Sequence, residues 1–101
     1  CLVVPEQWLN MGPVVIAEAE LLGTPVVASR IGGIPEMSPT FDASPNDPAE
    51  FAKHILTCLD PAALGFDSVE HSSRSEREKA EIRHDPVRVR AQLESVYASC
   101  L

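Results

Sequence analysis

Glu18 stands in a helix-forming run, residues 12–22, whose other positions are mostly apolar. A charge on such a helix is costly unless a partner or a ligand meets it. A carboxylate there can accept hydrogen bonds from two vicinal hydroxyls, as in a ribose diol. It can equally accept a backbone N–H or pair with a basic side chain. Asn10 lies eight residues earlier, where its amide can bind a sugar hydroxyl or hold its own loop. Gly12 and Pro13 open the helix, with Gly as the expected N-cap and Pro at the first helical position. The first-turn N–H groups, beginning with Val14, then face outward, and the helix dipole favours an anion such as a diphosphate there. Glu20 is expected to face solvent. Arg30 is expected to be solvated, although it could reach a phosphate. Glu36 is expected to match the charge of a short helical turn.

Other chemistries find no support. No Ser–His–Asp or Cys–His arrangement can be assembled with any specificity. No GxGxxG follows a strand, and the phosphate-loop pattern is absent. Cys1, Cys58 and Cys100 are far apart and odd in number, without metal-type spacing. They read as reduced, mostly structural thiols. His54, His71 and His84 are isolated and read as surface or capping residues, and Trp8 reads as a loop anchor.

These groups need a scaffold. Leu2–Val4 is an all-apolar strand of the kind buried inside a parallel sheet, and Pro5 ends its ladder. The helix over residues 12–22 stops at Gly23. Residues 25–29 form a second buried strand, Gly32 and Gly33 a turn that permits positive φ or close approach, and Ile34–Met37 a short helical turn. Residues 40–42 are a weak third strand. Asp47, Pro48 and Glu50 form a capping signature. The helix they open carries a stripe of Phe51, Ala52, Ile55, Leu56 and Leu59 and ends before Pro61. Residues 68–83 are polar and fit a surface helix or a partly mobile segment. Asp85 and Pro86 cap a last helix with a stripe of Val89, Leu93, Val96, Tyr97 and Cys100.

Alternating strands and helices specify an α/β class with a doubly wound parallel sheet. Ligands of such sheets sit beyond the carboxyl ends of the strands. That places Asn10, Gly12, Pro13, Gly32 and Gly33 along one crevice. Three strands are few for such a sheet, and the first is already a central-type strand. The expectation is a carboxy-terminal fragment, with residues 1–66 as part of the sheet domain and 67–101 as a helical segment.

The 101 residues carry a net charge of −7. Residues 1–66 hold 8 acidic and 2 basic side chains, whereas 67–101 hold 7 and 6. The first part has no basic patch, which argues against nucleic-acid binding. The second reads as a solvated face with i,i+4 ion pairs. No apolar run reaches the ~18 residues of a membrane span, and no signal peptide is visible. The reading is cytoplasmic.

Residues 2–36, LVVPEQWLNMGPVVIAEAELLGTPVVASRIGGIPE, resemble the carboxy-terminal domain of GT-B glycosyltransferases, in particular the group 1 (family 4) retaining enzymes. The likeness continues more loosely to about Leu59, and the last helix is similar to the terminal helix that such enzymes fold back toward their amino-terminal domain. The resemblance implies the C-terminal half of a Rossmann-like (GT-B) domain, a short parallel sheet flanked by helices with a helical C-terminus. It implies a nucleotide-sugar donor and a glycan or lipid-linked acceptor, the latter bound by a missing amino-terminal domain. Peripheral association of the full-length protein with the inner membrane surface is left open.

The family's paired glutamates flank the donor. The second falls on Glu18, where the resemblance implies hydrogen bonding to the ribose. The first falls on Asn10, a departure, because an amide supplies no negative charge near the anomeric carbon. Gly12, Pro13 and Val14 match the segment that cradles the donor phosphates and sugar. No metal or other cofactor is expected, the leaving diphosphate being stabilised by preorganised dipoles and by basic residues upstream of Cys1. A catalytically degenerate binding or scaffold module and a sugar-nucleotide epimerase are the alternatives.

Overall fold

The computed structural model describes residues 1–60, 62–63 and 69–100. The elements run β1 (Leu2–Val4), α1 (Val14–Leu21), β2 (Val26–Ser29), a single 3₁₀ turn (Ile34–Met37), β3 (Phe41–Ala43), α2 (Pro48–Leu59), α3 (Val69–Arg83) and α4 (Pro86–Ser99). The three strands form one parallel sheet in the order β1-β2-β3, with Val3 beside Val27 and Val27 beside Phe41. This is the expected α/β architecture, an open parallel sheet between helices with a helical C-terminus. The third strand lies one residue later than expected. Thr40, placed in that strand from sequence, instead uses its Oγ1 to accept the N–H of Val26 at 2.9 Å.

Side-chain alternation divides the core in two. On one face Val4, Val26 and Ala28 pack with Ile16 and Ala19 of α1 and Ile34 of the 3₁₀ turn. On the other, Val27 and Ala43 pack with Phe51 and Cys58 of α2, and Phe41 and Ile55 flank them. The strand β2 is buried at all four residues, as a central parallel strand must be. Ser29 is tolerated there because its hydroxyl donates to the Val4 carbonyl at 3.4 Å.

The α2 stripe differs from the expected one. Phe51, Ile55 and Cys58 face the sheet, whereas Leu56 is 68% exposed and Leu59 and Ala52 also lie outward. The sheet is only three short strands wide and covers less than the full apolar arc of the helix. The α2 cap is as expected, with Asp47 Oδ1 accepting from Ala49 N and Glu50 N at 3.1 and 3.0 Å. Glu50 does not return to the N-cap. It accepts the N–H of Ser44 at 2.7 Å and bonds Arg30. Arg30 also donates to Asp42 at 2.8 Å, and that bonded carboxylate raises the guanidinium pKa further above its ordinary value. His54 stacks on Phe41, with ring centroids 4.7 Å apart.

The C-terminus of α1 matches expectation. Gly23, at φ +74°, donates to the Glu20 carbonyl and Thr24 to that of Ala19, at 2.8 Å each. This is the paired bonding that closes a helix on a left-handed glycine. The start of α1 is shifted by one position: Pro13 is the N-cap, and Gly12 precedes it at φ +132°.

The 5–12 and 30–36 loops, at the carboxyl ends of β1 and β2, are packed backbone to backbone. Gly33 N–H donates to the Asn10 carbonyl at 2.8 Å. A Cβ on Gly32 would lie 2.3 Å from the Asn10 carbonyl oxygen, and one on Gly33 2.3 Å from that of Met11. The double glycine is therefore a steric requirement of the loop contact. The last helix caps as expected, with Asp85 accepting from Val87 N at 3.1 Å. Of its apolar stripe, Leu93, Val96 and Tyr97 are all exposed. Among the described residues no helix is long and apolar enough to cross a membrane.

Gly33→Ala is expected to lower stability by about 1–3 kcal/mol through forced displacement of the Met11 backbone, read as a lower urea midpoint at unchanged slope. Asp47→Ala removes both first-turn acceptor bonds and is expected to cost about 1 kcal/mol in the same assay.

Candidate functional site

The site is built around the start of α1. Pro13 brings no N–H, no side chain caps the helix, and its first turn holds no acidic residue. The N–H groups of Val14 and Val15 precede the first internal bond, which Ile16 N–H makes to the Pro13 carbonyl at 3.0 Å. The helix start thus presents partial positive charge without a resident counter-charge. It lies beyond the carboxyl end of β1, where parallel sheets place their ligands.

Asn10 shapes the approach to this point. Its Oδ1 accepts the N–H of Gly12 at 3.0 Å, and its carbonyl accepts Gly33. Gly12 sits over the Met37 side chain, whose sulfur would lie 2.8 Å from a Cβ at this position. Asn10, Gly12, Gly32 and Gly33 are therefore brought together at one edge of the sheet. They do so largely by touching one another.

Glu18 lies about 6 Å further along the helix axis than Val14. Its side chain is exposed, and among the described residues no hydrogen bond or ion pair occupies it. It lines a shallow groove of about 340 Å³ with Cys1, Leu2, Val15, Ala19, Leu22 and Thr24. Neither Asn10 nor Gly12 bounds that groove. The two ends of the candidate site are linked by the α1 backbone and Val15, rather than by a closed cavity.

One expectation about charges is corrected. Glu20, expected in solvent, is 1% exposed, and its Oε2 accepts from Arg83 Nη1 at 2.5 Å. The carboxylate buried under this helix is thus Glu20, and the one left open to solvent is Glu18. Position along α1 decides this, since residues 16, 19 and 20 face inward while 14, 15 and 18 face outward. Arg30 is exposed, as expected, and its guanidinium is bonded to Asp42 and Glu50. The sequence signal for the first pairing was a second acid on an apolar helix, with arginines gathered in the polar C-terminal segment.

Trp8 is not a loop anchor. It is 80% exposed and, with Leu9 and Met11, forms an apolar tip on the loop before α1. Of the three cysteines only Cys58 is packed in the core, and Cys1 and Cys100 are exposed. A larger groove of about 480 Å³ lies across the sheet, lined by Val3, Pro5, Asn46, Phe51 and Ile55 among others. It has no charged side chain in its lining, which does not suit a diphosphate. Among the described residues no group of three His, Cys, Asp or Glu side chains is gathered for a metal ion.

Comparison with known proteins bears on residues 1–61, which match the family model described as "Glycosyl transferases group 1". No curated protein and no solved structure gives a match. The matched region spans β1 to the end of α2, and so includes the two facing loops, the open start of α1 and Glu18. By this match over more than half of its length, the chain belongs to the group 1 glycosyltransferases.

Proposed function

We propose that the chain supplies half of the nucleotide-sugar site of a retaining, family 4 glycosyltransferase that moves a hexose-like unit to a glycan or lipid-linked acceptor. The observation that carries this reading is the start of α1, uncapped and free of acidic residues, held beside the 5–12 and 30–36 loops. The N–H groups of Val14 and Val15 would bind the donor diphosphate, with Gly12 and Pro13 keeping side-chain bulk and a competing N–H out of the way. Glu18 would accept hydrogen bonds from the ribose hydroxyls, a role supported by its exposed carboxylate at the groove beside β1. Asn10 would meet the transferred sugar through its amide nitrogen, because its oxygen is committed to Gly12. No metal is needed in this scheme. The developing charge on the leaving diphosphate is met by fixed dipoles and by basic residues outside this chain.

The rest of the enzyme would lie elsewhere in a longer protein, including the domain that binds the acceptor. The apolar outer positions of α1 (Val14, Leu22), the Trp8–Met11 tip and the uncovered stripe of α4 support this, since exposed apolar groups of this extent mark contact surfaces. The full-length protein would work in the cytoplasm and approach the inner membrane surface when its acceptor is lipid-linked.

A second reading, a degenerate module that keeps the fold without catalysis, is favoured by one observation. The Asn10 side chain is engaged in shaping its own loop, and it carries no charge to support an oxocarbenium-like centre.

In the complete protein, Glu18→Gln is expected to weaken donor binding by roughly 1.5–3 kcal/mol, the size of a hydrogen bond to a charged group. Titration of UDP-glucose and GDP-mannose into both forms checks this, and unchanged affinity for the donor that binds would remove Glu18 from the site. The 101-residue chain alone is expected to show no sugar transfer, and turnover by it would refute the half-site reading. Asn10→Glu in the complete protein separates the two readings. A working transferase changes its rate, whereas a scaffold turns over in neither form.

A further inference from the structure

Helix α3 reaches α1 and the turn beside the candidate site through one guanidinium. Arg83, in its last turn, donates from Nη1 to the buried Glu20 carboxylate on α1 and from Nη2 to the Ser38 carbonyl at 3.4 Å. Ser38 closes the 3₁₀ turn with φ +54°, a conformation that non-glycine residues seldom adopt. The same turn begins at Gly33, which is bonded to Asn10. Asn10 holds Gly12, and Gly12 leads into α1. The contacts form a ring: α3 to Glu20 on α1 and to Ser38, then back through Gly33, Asn10 and Gly12 to α1.

Local sequence does not require α3 to be there. The helix is strongly polar and has a weak apolar face. Ala80 is its buried contact among the residues whose side chains are described. A small side chain at that point lets the helix approach α1 closely enough for Arg83, three residues on, to reach Glu20. The pair is also costly to assemble, because a carboxylate 1% exposed has given up nearly all of its water. Burial of this kind is weak evidence of added stability, but a five-donor guanidinium fixes geometry well. Here it spans the last turn of α1 and the 3₁₀ turn that borders the start of α1.

We propose that Arg83 and Glu20 act as a positioning clamp, by which the C-terminal helical segment sets α1 and the 30–38 turn in their relative places. The clamp rests on the donor-site reading above only for its functional consequence, and its structural core stands apart from that reading. Arg83 touches no candidate ligand and acts through the backbone of Ser38 and the seat of α1.

The test is amide hydrogen exchange on the whole chain, read at Gly33 and Gly12 as reporters of the loop contact and at Val27 as a reporter of the sheet. In Arg83→Met, exchange at Gly33 and Gly12 is expected to quicken by about tenfold relative to Val27. Arg83→Lys keeps the charge near Glu20 but cannot span both acceptors, and is expected to fall between. Arg83→Met alone takes the guanidinium from a buried carboxylate and is expected to loosen the sheet as well. The double variant Glu20→Met with Arg83→Met removes that charge and decides the case. With Val27 protection restored, persistently fast exchange at Gly33 and Gly12 supports the clamp. Return of Gly33 and Gly12 to wild-type protection would overturn it, and Arg83 would then serve only to neutralise Glu20. Equal acceleration at all three amides in the double variant would overturn it too. UDP titrated into the complete protein separates the two proposals. Failure of the wild type to bind UDP would defeat the donor-site reading and leave the exchange result standing, whereas binding to the wild type that weakens in the double variant ties the clamp to the site.

Discussion

The contact on which the arrangement depends is the seating of one loop backbone against another at the carboxyl edge of the sheet. Gly32 and Gly33 lie so close to Asn10 and Met11 that a methyl group at either glycine would overlap a carbonyl oxygen. Because the two loops leave adjacent parallel strands, this contact fixes how the chain enters α1. Strand register, helix direction and the exposed first-turn N–H groups then follow as consequences. A wider spacing would leave the Asn10 carbonyl and the Gly33 N–H, both half-buried, without each other.

The same helix that opens the site is also its anchor. One face of α1 buries Ile16, Ala19 and Glu20, and the other exposes Val14, Val15 and Glu18. Two carboxylates only two residues apart therefore live in opposite surroundings. Glu20 has left water for a guanidinium and binds α3 to the core. Glu18 keeps its full hydrogen-bonding capacity and faces a groove. Helical geometry turns a chain spacing of two residues into about 200° of rotation, which is why the pair cannot share one role.

Charge elsewhere is also absorbed structurally. Arg30, at the end of β2, meets Asp42 and Glu50 and joins the β3 edge to the first turn of α2. An arginine beside a candidate phosphate site reads as a solvated side chain within reach of a phosphate. Two carboxylates within reach make it a brace, and only folding brings them there, since they lie 12 and 20 residues away.

Much of the scaffold was legible locally. Gly23 as a helix stop, Asp47 and Asp85 as caps, and the apolar run of β2 each act through neighbours a few residues away, and each took its expected place, whereas β1, read as a central strand, stands at the edge of the three described strands with Val3 exposed. The double glycine announced a close approach but not its partner. What the chain alone determined was therefore the element order, the parallel α/β class and the residues proposed to meet a sugar nucleotide. What only the tertiary structure decided was which of those residues were already taken. Glu20, Arg30 and the Asn10 side-chain oxygen are all engaged, two of them by partners distant in sequence. Whether a charge is spent or available depends on what packing carries up to it, and residue type does not encode that.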